Sequence, residues 1–151
     1  MLIAANCLHG VGAHATVSVS SGRLYAVALA DRPLVPEEWV LRIDATLGAL
    51  PRCVQESAWT GTRWRVGAAT IAHVFGGEDQ VFRITFRGEP DEVAAFEHMG
   101  APYFRSSWGG NVIGMILDDD TDWDELAELL TDSYCIQAPQ SLAEQVARPG
   151  A

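Results

Sequence analysis

The sequence predicts an α+β domain: an antiparallel sheet flanked by an N-terminal helix and C-terminal helices. Three observations carry this reading. A run of helical period at 36–50 precedes three short strand-like segments. A helix and two more strand-like segments follow over 90–117, and two helical segments complete the pattern over 121–146. Strands that succeed one another across turns rather than across helices pair antiparallel, which separates α+β from α/β order. A chain of 151 residues suits one domain with a core large enough to need no staples.

The elements follow in order. Residues 1–35 are rich in Ala, Val, Ser and Gly and read as an extension outside the main domain, poorly ordered or holding short strands at Ala15–Val19 and Leu24–Leu29. The first cation is Arg23, and Asn6 and His9 interrupt the early apolar stretch, so a secretory signal is not expected. The domain is expected to run over 36–151. Pro36 suits a first helical position, and Glu37 and Glu38 suit the positive end of the helix dipole. Trp39, Val40, Ile43, Leu47 and Leu50 recur at helical spacing, and Pro51 ends the pattern.

Three strands are then predicted, over Thr62–Val66, Thr70–Phe75 and Gln80–Arg87, with a turn at 76–79. Strand alternation puts Phe82, Ile84 and Phe86 on one side and Arg83, Thr85 and Arg87 on the other. Likewise Trp64 and Val66 oppose Arg63 and Arg65. Pro90 opens a helix through Met99, and Gly100 fits its C-cap. Strands are predicted over Ala101–Trp108 and Asn111–Leu117. Thr121 with Asp124 reads as a capping box for a helix carrying Trp123, Leu126, Leu129, Leu130 and Tyr134. Ser141, with Glu144 three residues on, reads as the cap of a last helix ending at Val146.

Four stretches carry a family resemblance. They are LGALPRCVQESAW at the end of the first helix, TGTRWRVGAATIAHV across two strands, APYFRSSWGGNVIGMIL around Trp108–Gly109, and DWDELAELLTDSYCIQAPQSL in the long C-terminal helix. In order and spacing they resemble the MmcQ/YjbR-like family over about residues 36–146. The resemblance implies a CyaY-like or "double-wing" fold and a non-enzymatic DNA-binding protein. Where that family tends to carry lysines after Ala–Pro, this chain has Gln140 and Ser141.

Charge bears on that expectation. Ten arginines face twenty acids, for a net charge of −10, and there is no lysine. Schiff-base, P-loop and Ser–Lys chemistries are therefore excluded. A net charge this negative disfavours attraction of the whole surface to nucleic acid or anionic lipid. The acidity is uneven, however: residues 118–151 hold nine acids and one arginine, leaving the first 117 nearly balanced. Three widely spaced cysteines, Cys7, Cys53 and Cys135, suit a reducing, cytoplasmic compartment.

No catalytic motif is present, so no catalytic residue and no cofactor are expected. His9, His14, His73 and His98 are scattered and read as structural or solvated. The acidic run from Asp118 to Glu125 fails the calcium-loop pattern in both registers, so no metal site is expected. The candidate nucleic-acid or anion-binding residues are Arg63, Arg65, Arg83 and Arg87 on one sheet face, joined by Arg105 from a later strand. The candidate groove aromatics are Trp59, Trp64, Tyr103 and Trp108. Arginine beside aromatics can hold phosphates and stack bases. The partner that the family resemblance implies is DNA, which the net charge of −10 disfavours. The alternative is a small-molecule or protein-interaction module that uses the aromatic groove, with a small anionic ligand or a protein partner and no membrane.

Overall fold

The computed structural model describes residues 31–149. The extension's proposed strands, with His9, His14 and Cys7, lie outside these residues. The element order is α1 (Glu37–Leu47), β1 (Val54–Ser57), β2 (Thr62–Val66), β3 (Ala69–Gly76), β4 (Phe82–Arg87), α2 (Pro90–Met99), β5 (Tyr103–Arg105), β6 (Val112–Leu117), α3 (Trp123–Gln137) and α4 (Gln140–Ala143). The six strands form one sheet in the order β1–β2–β3–β4–β6–β5. All neighbours are antiparallel. The α+β class and the antiparallel sheet stand as the sequence predicts.

Helices seal one face of this sheet. Trp39, Ile43 and Leu47 repeat at four-residue spacing and form the buried stripe of α1. The buried stripe of α3 is Leu126, Leu130, Ser133 and Tyr134. The strands answer with Trp64, Val66, Val74, Ile84, Phe86, Met115 and Leu117. Polar atoms inside this layer are partnered. Trp64 Nε1 donates to Asp44 Oδ1 at 2.9 Å, and the Tyr134 hydroxyl donates to the Pro51 carbonyl at 2.6 Å. Ser133 Oγ donates to the Ile71 carbonyl and accepts from the Arg87 amide, each at 2.8 Å. That one hydroxyl ties α3 to β3 and β4 together. Among the described residues, no helix is long and apolar enough to cross a membrane.

Several boundaries differ from the sequence reading. A further strand, Val54–Ser57, pairs with β2 at the sheet edge. Its residues are mostly exposed, so no apolar alternation marks it. The predicted strand over 101–108 shrinks to Tyr103–Arg105, because residues 106–111 turn back as a loop closed by Ser106 N–H to Val112 O. The cap of α3 is Asp122, which accepts from the Glu125 amide at 3.0 Å, not Thr121. Thr121 Oγ1 instead accepts from the Asp118 amide, in the turn before the helix. The last helix runs over Gln140–Ala143 with Pro139 at its N-cap, not Ser141–Val146.

Ser133→Ala leaves the Arg87 amide without its acceptor. We expect a loss of about 1–3 kcal/mol, the usual cost of an orphaned buried donor. It should be read as a lower urea midpoint at unchanged slope. A midpoint equal to wild type would show that the hydroxyl bridge contributes nothing to stability.

Candidate functional site

The sheet face away from the helices carries the arginines, because strand alternation leaves them nowhere else to point. Register aligns Glu56, Arg63, His73, Thr85 and Gly114 in one row across five strands. Arg83 lies beside Phe75, and Arg87 beside Val112. Phe104 covers the far end of the row. Its ring stands so close over Gly114 that a Cβ there would meet it at 2.2 Å.

The arginines are unequally neutralised. Arg63 and Arg65 share a single carboxylate, Glu56. The Arg65 and Arg63 guanidinium groups together hold the Glu56 carboxyl below the usual range. Arg83 grips Asp79 with both terminal nitrogens, at 2.9 and 2.7 Å, and lowers that carboxyl to about 2. Arg32 reaches Glu78 and lies over the Trp59 ring, 5.1 Å from its centroid. Arg87 differs: among the described residues its guanidinium meets no carboxylate. Its Nη1 donates to Asn111 Oδ1 at 3.3 Å, and burial lowers its pKa. Four guanidinium groups on this face therefore share three carboxylates, and the fifth, Arg87, pairs with none among the described residues.

Arg87 lines a cleft of about 210 Å³ with Trp59, Arg63, Thr70, His73, Thr85, Trp108 and others. Trp59 and Trp108 are 66% and 52% exposed, unusual for indoles and decisive for access. The Trp108 ring stacks on His73 at 5.5 Å and 23°, and Phe75 lies 5.3 Å from it. A second cleft on the same face shares Trp59 and Trp108 and is lined by Arg32, Phe75, Glu78, Asp79 and Arg83.

His73 is 93% covered, with 7% of its surface exposed. Its Nε2 lies 2.6 Å from the Thr60 carbonyl. A carbonyl only accepts, so that nitrogen carries the proton and the neutral ring is the Nε2–H tautomer. Burial lowers the pKa of the ring; the Thr60 bond opposes this, and Arg63 adds to it.

Four sequence candidates do not behave as expected. Trp64 is fully buried under α1 and is core, not groove wall. Tyr103 is buried against Phe96 on the helix side, and its hydroxyl donates to Glu125. Arg105 shares the helix-side parity of Tyr103 and pairs with Glu97 of α2 at 3.1 Å, so it does not join the other arginines. Arg65 is on the expected face but leans away from the cleft, pairing with Glu56 and donating to the Gly67 carbonyl. Arg63, Arg87, Trp59 and Trp108 are brought together. Sequence reasoning missed His73, Thr70, Thr85 and Asn111 as their companions. Thr85 had a usable signal, since it alternates onto the side of Arg83 and Arg87 in its strand.

Comparison with known proteins bears on the fold. A family model described as YjbR matches residues 48–136. The crystal structure of Deinococcus radiodurans protein DR2400, which carries a DUF419 domain, aligns with a TM-score of 0.55 and 16% identity, over 74% of this chain and 90% of that one. No curated protein matches the chain.

The state of His73 can be tested through stability. Its folded pKa lies below its unfolded one, so in the window between them the unfolded chain binds more protons and stability falls as pH falls. We expect His73→Gln to lose less stability than wild type between about pH 7 and 5.5, spanning the unperturbed imidazole value. Urea titrations at each pH read this. Parallel curves for the two proteins would show that the ring is not held neutral.

Proposed function

The chain belongs to the YjbR family, and from that premise we propose that it is a non-catalytic binding module. Its ligand is a small organic anion held on the open face of the sheet. One observation carries this reading. Arg87 is half-buried, meets no carboxylate among the described residues, and lines a cleft between two exposed tryptophans. An arginine held this way keeps its charge at neutral pH and presents N–H donors in a fixed fork. A carboxylate or phosphate completes it as Glu56 and Asp79 complete its neighbours.

Binding rather than catalysis is supported by the same lining. The one imidazole in the cleft already spends its Nε2–H on the Thr60 carbonyl. Thr70 and Thr85 supply hydroxyls suited to hydrogen bonding.

Duplex DNA finds less support on this face. Phosphate-backbone binding draws on several cations released from other partners. Here Arg63, Arg65 and Arg83 are each engaged by a carboxylate, and Arg105 lies on the other side with Glu97. The net charge of −10 adds long-range repulsion.

Two measurements test the proposal. A gel shift with duplex DNA at low salt should show no retarded band. A salt-sensitive shift weakened by Arg87→Met would instead favour the nucleic-acid reading. In a thermal-shift panel of organic acids and inorganic phosphate, at least one anion should raise the melting temperature. Arg87→Met should weaken its binding by roughly tenfold to a hundredfold, the worth of a charged hydrogen-bonded contact of about 1.5–3 kcal/mol. An unchanged affinity in that variant would remove Arg87 from the site.

A further inference from the structure

The proposed anion site can be taken to a ligand class, and this step rests on that reading. We propose that the cleft between Trp59 and Trp108 takes a planar aromatic monocarboxylate of one ring, its carboxylate on the Arg87 guanidinium and its ring against the Trp108 indole.

The open guanidinium decides the carboxylate. The cleft contains two guanidinium groups: Arg63 already pairs with Glu56, which it shares with Arg65, whereas Arg87 meets no carboxylate among the described residues. Arg87 is therefore the group left to receive a ligand anion. The planar fork of arginine also fits the two carboxylate oxygens side by side. Asn111 takes only Nη1, at 3.3 Å, so the other N–H groups of Arg87 remain to donate. Thr85, buried beside His73 in the strand register, puts a hydroxyl in the same cleft.

Shape and surface decide the ring. At about 210 Å³, below the roughly 300–1,000 Å³ of drug-sized sites, the cleft has room for a single ring with its acid group. The lining is aromatic where it is exposed. Trp108, His73 and Phe75 form a contiguous cluster with centroids 5.0–5.5 Å apart. Aromatic groups gain beyond simple burial when they meet offset or edge-on. Trp59 is held at the mouth by the Arg32 guanidinium over its ring. A saturated ring would bury comparable area and forgo the stacking.

The experiment uses the full chain labelled with nitrogen-15, following the indole N–H signals of its tryptophans on titration. The probes are benzoate, cyclohexanecarboxylate, benzamide and inorganic phosphate. Benzoate should saturably shift the Trp59 and Trp108 signals, assigned by Trp59→Phe and Trp108→Phe, and leave the core Trp64 signal in place. Cyclohexanecarboxylate should bind about two- to tenfold more weakly, having lost the ring contact, and benzamide about tenfold more weakly or worse, having lost the charged contact. Arg87→Met should abolish saturation by benzoate. Arg87→Lys, which keeps the charge but not the fork, should weaken it, and an unchanged urea midpoint in either variant separates lost binding from lost folding. Equal binding of cyclohexanecarboxylate would overturn the aromatic class and leave the anion site standing. Phosphate shifting the signals without benzoate would do the same. If no anion moves either indole, both the ligand class and the anion site fall.

Discussion

Burial of Phe82, Ile84 and Phe86 against α1 and α3 is the constraint from which the open face follows. β4 sits at the centre of the sheet, between β3 and β6. With one side of that strand sealed, Arg83, Thr85 and Arg87 must project to the other. Ser133 holds the seal at its end, since its hydroxyl accepts the Arg87 amide while donating to Ile71. The backbone that presents the Arg87 guanidinium to the cleft is thus anchored from the opposite side of the sheet by the long helix. Core packing and site geometry are two sides of the same strand.

On the open face the electrostatics are local rather than global. The protein carries −10 overall, most of it after residue 117, yet this face gathers five guanidinium groups around three carboxylates. Pairing divides the arginines by role. Arg83 and Arg32 brace the β3–β4 turn through Asp79 and Glu78, and Arg63 and Arg65 brace the edge strand β1 through Glu56. Such exposed pairs contribute little stability individually, but they consume charge that a nucleic-acid surface would need. Arg87 keeps its charge available because the groups around it are an amide, hydroxyls and aromatic rings.

The fold was legible in the sequence wherever burial imposed a period. The stripes of α1 and α3 and the alternation of β2 and β4 appear in the residues themselves, and the structure reproduces them. Legibility failed where burial was absent or local bonds competed. β1 is an exposed edge of sequence VQES, held by its ladder to β2 rather than by an apolar face. Thr121 and Asp122 are both good caps, and the turn at Asp118 claimed the threonine. Tyr103 and Arg105 share a parity that faces the helices, which an overlong strand with an uncertain start concealed. Trp64 looked like its exposed counterparts Trp59 and Trp108 because indoles serve core and surface equally well.

What the sequence by itself determined is which residues share a side: backbone alternation and helical period are covalent geometry, repeated within a few residues. It settled that Arg63, Arg83, Thr85 and Arg87 lie together, and the order of motifs settled the family. Only the tertiary structure decided which of those arginines is left without a carboxylate. Pairing acts through space over a few ångströms, so it depends on strand register and turn geometry that bring Glu56 to Arg63 and Asp79 to Arg83. The same geometry sets Asn111, Trp59 and Trp108 around Arg87.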